Sequence, residues 1–186
     1  TYGHQEVTPL PETAPLNQLD VYGVSKSCAD LIVRTFALEF DLPCVAVRNT
    51  NSYGPGDPHL SHVIAGTIVS LLRGERPVIR SDGSPTKAYL FSQDTMEGYM
   101  LLAEHAGRPG IRGEAFNLTP EKPISVLDLV NLIVKVSGRP ELAPVVERTD
   151  LSQQGSLEHL SGQKIQKSLG WRPRLSLEEG LSRTHR

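Results

Sequence analysis

The sequence has little of the features that indicate secreted, membrane-bound or nucleic-acid-binding proteins. It has two cysteines, Cys28 and Cys44, in apolar surroundings and without a metal-type pairing, which favours a reducing, cytoplasmic compartment. No apolar run approaches membrane-spanning length, and no signal peptide is visible. The net charge is -2 and no run of lysine or arginine stands out, so the composition gives no support to a nucleic-acid or anionic-membrane partner.

Metal and phosphate motifs are also lacking. The six histidines show no metal-ligand spacing, so we expect no metal site. Gly107, Gly110 and Gly113 have the spacing of a dinucleotide fingerprint, but they follow a predicted helix and precede a predicted strand. The fingerprint requires a strand, a tight turn and then a helix N-terminus. We therefore predict a helix-to-strand connection here, and no element in this chain that holds a pyrophosphate.

What the sequence does contain is an alternation of strands and helices. Helices are predicted over about 21–40, 60–73, 92–105, 125–136, 161–168 and 177–184, and short strands over about 44–48, 77–80, 87–91, 115–118 and 145–146. Residues 1–19 are predicted to form an irregular surface connection and residues 49–57 a long polar loop. This alternation predicts an α/β fold with a largely parallel sheet.

The first predicted helix carries an unusual pair of polar residues. Tyr22 and Lys26 are four residues apart and share one helical face. That face continues through an apolar stripe that we expect to point into the core: Ala29, Val33, Phe36 and Phe40. Because a buried ammonium without a partner is costly, a lysine at the head of this stripe indicates a functional site.

Three motifs occur in order along the chain: Tyr22-x-x-x-Lys26, Arg48-x-x-Asn51-x-Tyr53-Gly54-Pro55 and Leu169-Gly170-Trp171-x-Pro173. Together they resemble the extended short-chain dehydrogenase/reductase superfamily, in its NAD-dependent epimerase/dehydratase branch. Segments 73–83 and 113–117 are most similar to CDP-glucose 4,6-dehydratases. The resemblance implies the C-terminal part of a Rossmann-like doubly wound parallel sheet plus a small α/β substrate-binding domain. Residues 1–58 would belong to the former and 59–186 mainly to the latter, with some strands and helices returning to the main sheet.

The implied chemistry is oxidation of a nucleotide sugar at C4 with bound NAD, followed by loss of water. The resemblance implies that Tyr22 takes the proton from the C4 hydroxyl. A phenol has an ordinary pKa of about 10, which a lysine ammonium one turn away would lower. Lys26 would also bind the nicotinamide ribose. A nucleotide-sugar epimerase or reductase, a non-catalytic sugar-nucleotide-binding relative, and NADP as cofactor remain open as alternatives.

The resemblance implies further binding residues. Asn49 would lie near the nicotinamide, and Asn51 and Lys87 near the substrate diphosphate. Arg80 and Arg148 are additional candidates for the diphosphate. The alternatives are that both asparagines are turn-formers and both arginines plain surface cations. Lys87 replaces an arginine that is common in the family, and lysine binds phosphate only as a point charge.

The chain starts at Thr1, and we interpret it as part of a longer protein. The glycine fingerprint and the acid/base segment that a dehydratase needs for removing water are expected upstream of it. We therefore expect the 186 residues alone to have little or no activity. In relatives the Tyr–Lys helix commonly lies in a dimer interface, which implies a homodimer in the full-length form.

Overall fold

The computed structural model describes residues 2, 3, 5, 8–148 and 159–185. The helices are α1 (Val21–Glu39), α2 (Val63–Leu72), α3 (Ser92–His105), α4 (Val126–Val136), α5 (Gln163–Leu169), α6 (Leu177–His185) and a short 3-10 helix, Pro140–Leu142. The strands are β1 (Ala46–Asn49), β2 (Asn51–Tyr53), β3 (Val78–Ile79), β4 (Thr86–Lys87), β5 (Tyr89–Phe91), β6 (Ala115–Leu118), β7 (Ile124–Ser125) and β8 (Val145–Val146). Within this part of the chain, no helix combines the length and apolar character needed to cross a membrane.

The strands form four two-stranded pairs, of which three are parallel. β1 pairs with β6, β2 with β5 and β3 with β8 in parallel, whereas β4 and β7 are antiparallel. The α/β prediction and all six predicted helices are confirmed. The prediction of a loop over residues 49–57 was wrong in part, because Asn51–Tyr53 forms β2.

The chain divides into two compact units that alternate along the sequence. The first unit comprises residues 1–50, 93–121 and 159–173, and the second comprises 51–92, 122–158 and 174–186. The predicted boundary at residue 58 concerns the domains of the whole protein and stays a prediction.

In the first unit, the β1–β6 pair forms the centre of the core. Phe116 and Leu118 of β6 are fully buried, and so is Leu102 of α3. The N-terminal segment joins this core: Leu10 is buried and forms a parallel bridge with Leu160. The prediction that residues 1–19 are irregular is confirmed for the described residues, but the expected surface location was wrong for Tyr2 and Leu10, which are buried.

The core of the second unit is built from the apolar faces of α2, α4 and α6. These faces surround Tyr53 and Phe91, whose rings meet edge to face with centroids 5.6 Å apart. The other buried members of the cluster are Ile64, Ile68, Leu71, Leu129, Ile133, Val134 and Leu181. Helix α4 begins with a side-chain cap, in which Ser125 Oγ accepts from the Asp128 backbone N–H at 3.0 Å.

Helix α1 faces the rest of its unit with a different side from the one predicted. Its buried residues are Gly23, Ser27, Asp30 and Ala37. The stripe Ala29, Val33, Phe36 and Phe40 is exposed, with Phe36 51% and Phe40 60% accessible. Small residues let the helix backbone approach its neighbours closely, and Asp30 is tolerated because a partner neutralises its charge. The sequence pattern identified an apolar stripe but not what that stripe packs against.

Candidate active site

The structure brings Tyr22 and Lys26 together on the first two turns of α1. The Lys26 Nζ lies 5.4 Å from the centroid of the Tyr22 ring, within the range of a cation–π contact. Both side chains are exposed, and Tyr22 is 72% accessible. The shared helical face was predicted correctly, but the pair does not head a buried stripe. An ammonium and a phenol are therefore held next to each other on an open surface of the first unit.

The first turn of α1 is defined by side chains that precede it. Asp20 is the N-cap, and its Oδ1 accepts from the Gly23 backbone N–H at 2.8 Å. This hydrogen bond lowers the pKa of Asp20. Gln18 donates from Nε2 to Asp20 Oδ2, and its side chain lies so close to Gly23 that a Cβ on Gly23 would overlap Gln18 Cγ. A side chain at Gly23 would therefore require Gln18 to move.

Asn49 ends β1 in the same unit and is already engaged by its neighbours. Its Oδ1 accepts from the Tyr99 hydroxyl at 3.0 Å, and its Nδ2 donates to the Thr50 carbonyl at 2.9 Å. Burial raises the pKa of Tyr99, so this hydroxyl keeps its proton at neutral pH. The Asn49 side chain is exposed, and its remaining N–H is oriented by these two contacts.

A buried polar network that was not predicted lies behind α1. Arg48 donates from Nε and Nη2 to the two carboxylate oxygens of Asp30, at 2.7 and 2.8 Å. Its Nη1 donates to the Tyr2 hydroxyl at 2.8 Å. Burial opposes the charge of Arg48, but the hydrogen bonds to Asp30 and Tyr2 outweigh it and raise the pKa of the guanidinium. The side chains of Asp30 and Arg48 are each 5% accessible.

The remaining predicted residues belong to the second unit. Asn51 lies in β2, and its Nδ2 is 3.4 Å from the Ala88 carbonyl. Arg80 and Arg148 follow the paired strands β3 and β8, whose register aligns Ile79 with Val146. Both arginines therefore lie beyond the carboxyl end of one parallel pair and are exposed. Lys87 lies in β4 opposite Ile124 and is half-buried.

The second unit also contains a small open cavity beside the loop after β2. Its volume is about 150 Å³, and it is lined by Tyr53, Gly54, Gly56, Asp57, Ile64, Ala65, Ile68, Val69 and Thr184. Asp57 accepts from the His59 backbone N–H and contacts His62 Nδ1 at 2.7 Å, and these contacts, the one to His62 first, lower its pKa. None of the predicted site residues lines this cavity.

Two predicted absences can be compared with the described residues. The glycine segment 107–113 lies between α3 and β6, as the prediction of a helix-to-strand connection requires. Gly113 adopts a φ of 73°, and its carbonyl accepts from Arg34 Nε at 3.1 Å. Within residues 2, 3, 5, 8–148 and 159–185, no three His, Cys, Asp or Glu side chains are grouped so that they could hold a metal ion.

Comparison with known proteins identifies the family. Residues 1–118 match the model of the NAD dependent epimerase/dehydratase family. This match spans more than half of the 186 residues, and the chain therefore belongs to that family.

Relatives share the whole length of this chain but are longer. It is 29% identical to the UDP-glucose 4-epimerase of Mycolicibacterium smegmatis, over 98% of this chain and 57% of the relative. It is 27% identical to the dTDP-D-glucose 4,6-dehydratase of Bos taurus, over 98% and 51%. The structure of DesIV, a dTDP-glucose 4,6-dehydratase of Streptomyces venezuelae solved with NAD and TYD bound, matches with a TM-score of 0.82 and 26% identity, over 99% and 55%. The chain thus spans about half the length of these relatives and shares their Rossmann-like fold.

Proposed function

We propose that this chain provides the sugar-oxidising residues of an NAD-dependent nucleotide-sugar 4,6-dehydratase of the CDP-glucose type. The observation that carries the proposal is the Tyr22–Lys26 pair, held on one exposed face of α1 in a chain of this family. The order of the family motifs supports it, and so do relatives whose names describe dehydration or epimerisation of nucleotide-linked glucose. We further propose the domain division near residue 58 that the family resemblance implies.

The side chains present fit one end of a dinucleotide cofactor. Lys26 offers an exposed ammonium to ribose hydroxyls, Tyr22 offers a phenol, and Asn49 retains one N–H beyond its contacts with Tyr99 and Thr50. The described glycine segment does not have the strand–turn–helix setting of a pyrophosphate cradle. We therefore assign Tyr22, Lys26 and Asn49 to the nicotinamide-ribose end of NAD, with NADP as the alternative.

The proposed role of the pair is to remove one proton from the sugar. Bound NAD supplies a hydride acceptor. Tyr22 accepts the proton of the C4 hydroxyl through its phenolate oxygen, and the Lys26 ammonium lies one helical turn away. Tyr22 and Lys26 belong to the same helix, and the Lys26 ammonium lies over the face of the Tyr22 ring. The removal of water from C5 and C6 is not assigned to residues of this chain.

The second unit supplies the groups that we assign to the substrate diphosphate. Arg80 and Arg148 follow the carboxyl ends of the paired strands β3 and β8 in the sequence. Arginine binds phosphate oxygens as a two-pronged donor, and Lys87 adds a single point charge. Asn51 contributes an amide from β2. Together these residues would bind two phosphates of a nucleotide sugar such as CDP-glucose.

Two other functions are supported by particular observations. An epimerase uses the same oxidation at C4 and is supported by the similarity to the UDP-glucose 4-epimerase; a reductase could use the same pair in the opposite direction. A binding protein without catalysis is supported by the replacement of the family's common Arg-Asp with Lys87-Ala88.

One incubation separates these functions. The natural full-length protein is mixed with NAD and, in parallel, with CDP-, UDP- or dTDP-glucose, and the products are identified by mass spectrometry and NMR. A 4-keto-6-deoxy sugar indicates a dehydratase, and a C4 epimer indicates an epimerase. Tight binding without any product would support the binding protein and contradict the proposal.

We also propose a homodimer in which α1 of one copy packs against α1 of the other. The proposal is supported by two large apolar side chains, Leu31 and Leu38, which are exposed on a flank of this helix away from the Tyr22–Lys26 face. Such a face is costly to leave in water and is typical of an interface. The two free thiols, Cys28 and Cys44, are consistent with the reducing cytoplasm as the place of action.

A further inference from the structure

The buried network behind α1 is a directed chain of hydrogen bonds. Arg48 donates to Asp30 and to the Tyr2 hydroxyl. That hydroxyl donates in turn to Asn117 Oδ1 at 2.7 Å. The Asn117 Nδ2 group then donates to the carbonyls of Leu10 and Ser161, at 3.0 and 3.1 Å. Each donor thus has one defined acceptor or pair of acceptors. Exchanging donor and acceptor atoms, for example by flipping the Asn117 amide, would leave a buried polar atom without a hydrogen bond.

This network ties separate parts of the first unit to one point. Asp30 belongs to α1, Arg48 to β1 and Asn117 to β6, while Tyr2 lies on the N-terminal segment. A second contact strengthens the attachment of that segment, because the Asn117 backbone N–H donates to Glu12 Oε1 at 2.9 Å. The phenol of Tyr2 links the segment to both strands, and Glu12 adds a second link, because its carbonyl accepts from Arg48 Nη1 at 3.0 Å.

A second series of contacts leads from Tyr2 to the first turn of α1. The Tyr2 carbonyl accepts from the Asn17 backbone N–H at 3.1 Å. The next residue, Gly3, has a φ of 70° and lies so close to Asn17 that a Cβ would be 2.7 Å from its carbonyl oxygen. Gln18 follows Asn17 and packs against Gly23, the residue after Tyr22. The position of Tyr2 is thereby transmitted to the Tyr22 turn.

Helix α1 is consequently held on both sides of the Tyr22–Lys26 pair. On the N-terminal side, Gln18 packs against Gly23. On the C-terminal side, one turn after Lys26, Asp30 accepts two hydrogen bonds from Arg48. Other buried positions of the helix are small: Gly23, Ser27 and Ala37. Small apolar contacts are not directional, whereas a two-pronged arginine–carboxylate bond fixes the rotation of the helix about its axis.

We propose that Tyr2 is a positioning residue for Tyr22 and Lys26. Its phenol, fixed by Arg48 and Asn117, sets the rotation and height of the first two turns of α1, and so the direction in which the Tyr22 hydroxyl points. This inference rests on the proposed function. It assigns a role in the reaction to a side chain that is buried behind α1 and bonded to Arg48 and Asn117.

The test is Tyr2→Phe in the natural full-length protein, which removes one oxygen atom and keeps the ring. A displacement of about 1 Å at a reacting group can lower a rate on the order of 100-fold. We expect kcat to fall on the order of 10- to 100-fold. We expect KM for the nucleotide sugar to change less than about twofold, because the proposed diphosphate ligands lie elsewhere in the chain.

The matched control is Lys164→Met in the same unit. Lys164 donates to Glu114 Oε2 at 2.7 Å and to the Ala115 carbonyl at 2.8 Å, and it touches neither α1 nor the N-terminal segment in these contacts. Its loss removes a polar tie of similar kind. We expect a lower melting temperature with kcat and KM unchanged.

A second measurement does not depend on turnover. Amide hydrogen exchange of the Tyr2→Phe protein is expected to accelerate selectively at Gly23 and Val24, relative to the C-terminal half of α1 and to Lys164→Met. A fall in kcat together with this local acceleration supports the inference. Wild-type kcat with uniform exchange along α1 overturns it and leaves Tyr2 purely structural. If the wild-type protein shows no turnover, the proposed function fails, and the exchange pattern alone decides whether Tyr2 positions the helix.

Discussion

At the scale of single residues, the dominant interaction is the buried ion pair between Asp30 and Arg48. Arg48 Nε and Nη2 donate to the two carboxylate oxygens of Asp30. The remaining guanidinium nitrogen, Nη1, donates to the Tyr2 hydroxyl and to the Glu12 carbonyl. No buried side-chain polar atom in the described part of the chain lacks a hydrogen-bond partner. A buried network in which every polar atom has a hydrogen bond stabilises the fold. The loss of one member leaves buried charged or polar atoms without a partner.

Asp30→Ala is expected to destabilise the protein by about 3–5 kcal/mol, because it leaves the Arg48 charge buried and unpaired. The double variant Asp30→Leu/Arg48→Met should lose less unfolding free energy than the two single variants, Asp30→Leu and Arg48→Met, lose in sum, since it removes both charges together. The free energies of unfolding from urea titrations give this coupling. Strict additivity of the two single changes would mean that the pair is not coupled.

Tyr2 is expected to make the free energy of unfolding depend on pH in the alkaline range. Burial raises its pKa above the ordinary value of 10.0, although the hydrogen bond from Arg48 acts in the opposite direction. A raised pKa means that the folded state holds the proton more tightly than the unfolded state. The stabilisation that protonated Tyr2 gives the folded state is therefore complete below pH 10, and it is lost as the pH rises through the folded-state pKa of Tyr2. Urea unfolding of Tyr2→Phe above pH 10 should show a shallower loss of stability than the wild type; equal slopes would argue against this assignment.

The sequence could identify Tyr22 and Lys26 because a helix fixes the geometry of residues four apart. It could not identify the partners of Arg48. Asp30 is 18 residues away and Tyr2 is 46 residues away, and only the tertiary fold brings them together. Arg48 was noted at the start of a motif, and Asp30 stands one turn after Lys26; an unexplained acidic residue on the helix was the available signal.

At the scale of elements, α1 combines a narrow polar inner face with a broad apolar outer one. The inner face approaches its neighbours through Gly23 and Ala37, and the outer face exposes Ile32, Phe36 and Phe40. Amphipathic periodicity predicted the helix correctly but assigned the apolar face to the core of the chain. Periodicity reports that a face is apolar and carries no information about whether its partner lies in the same molecule.

Leu31→Asp should weaken dimerisation of the full-length protein. A carboxylate placed in the proposed α1–α1 interface would be desolvated without a partner, so the dissociation constant is expected to rise about 100-fold or more. Sedimentation velocity over a range of concentrations measures the shift. Leu72→Asp, on the exposed side of α2, is the control and should leave the association unchanged. A wild-type protein that is monomeric at all concentrations would contradict the proposed dimer.

Helix α6 packs against β5 through a glycine. A Cβ on Gly180 would overlap Tyr53 Oη and lie 3.1 Å from Phe91 Cδ2. Gly180→Ala is therefore expected to destabilise the protein by about 1–3 kcal/mol through overpacking, despite the better helix propensity of alanine. In a Tyr53→Phe background, where the nearest atom is absent, the same change should cost less. Thermal unfolding of the four proteins measures this coupling, and an equal cost in both backgrounds would exclude the Tyr53 hydroxyl as the cause.

At the scale of the whole molecule, the α/β class and the helices followed from the sequence, because long periodic segments and their caps are local properties. The strands β2 and β7 were missed, since they have three and two residues and carry little pattern of their own. The division into two units that alternate along the chain depends on which distant segments pack together. Local pattern does not encode that information.

The central claim is that Tyr22 removes a proton from a sugar that is oxidised at C4. The most direct measurement uses the full-length protein with NAD and nucleotide glucose carrying deuterium at C4. We predict that the label moves to C6 in a 4-keto-6-deoxy product, with a slower rate than for unlabelled substrate, and that Tyr22→Phe abolishes this transfer while the protein still binds the nucleotide sugar. Label that stays at C4 of unchanged substrate, or equal turnover by the wild type and Tyr22→Phe, would contradict the account.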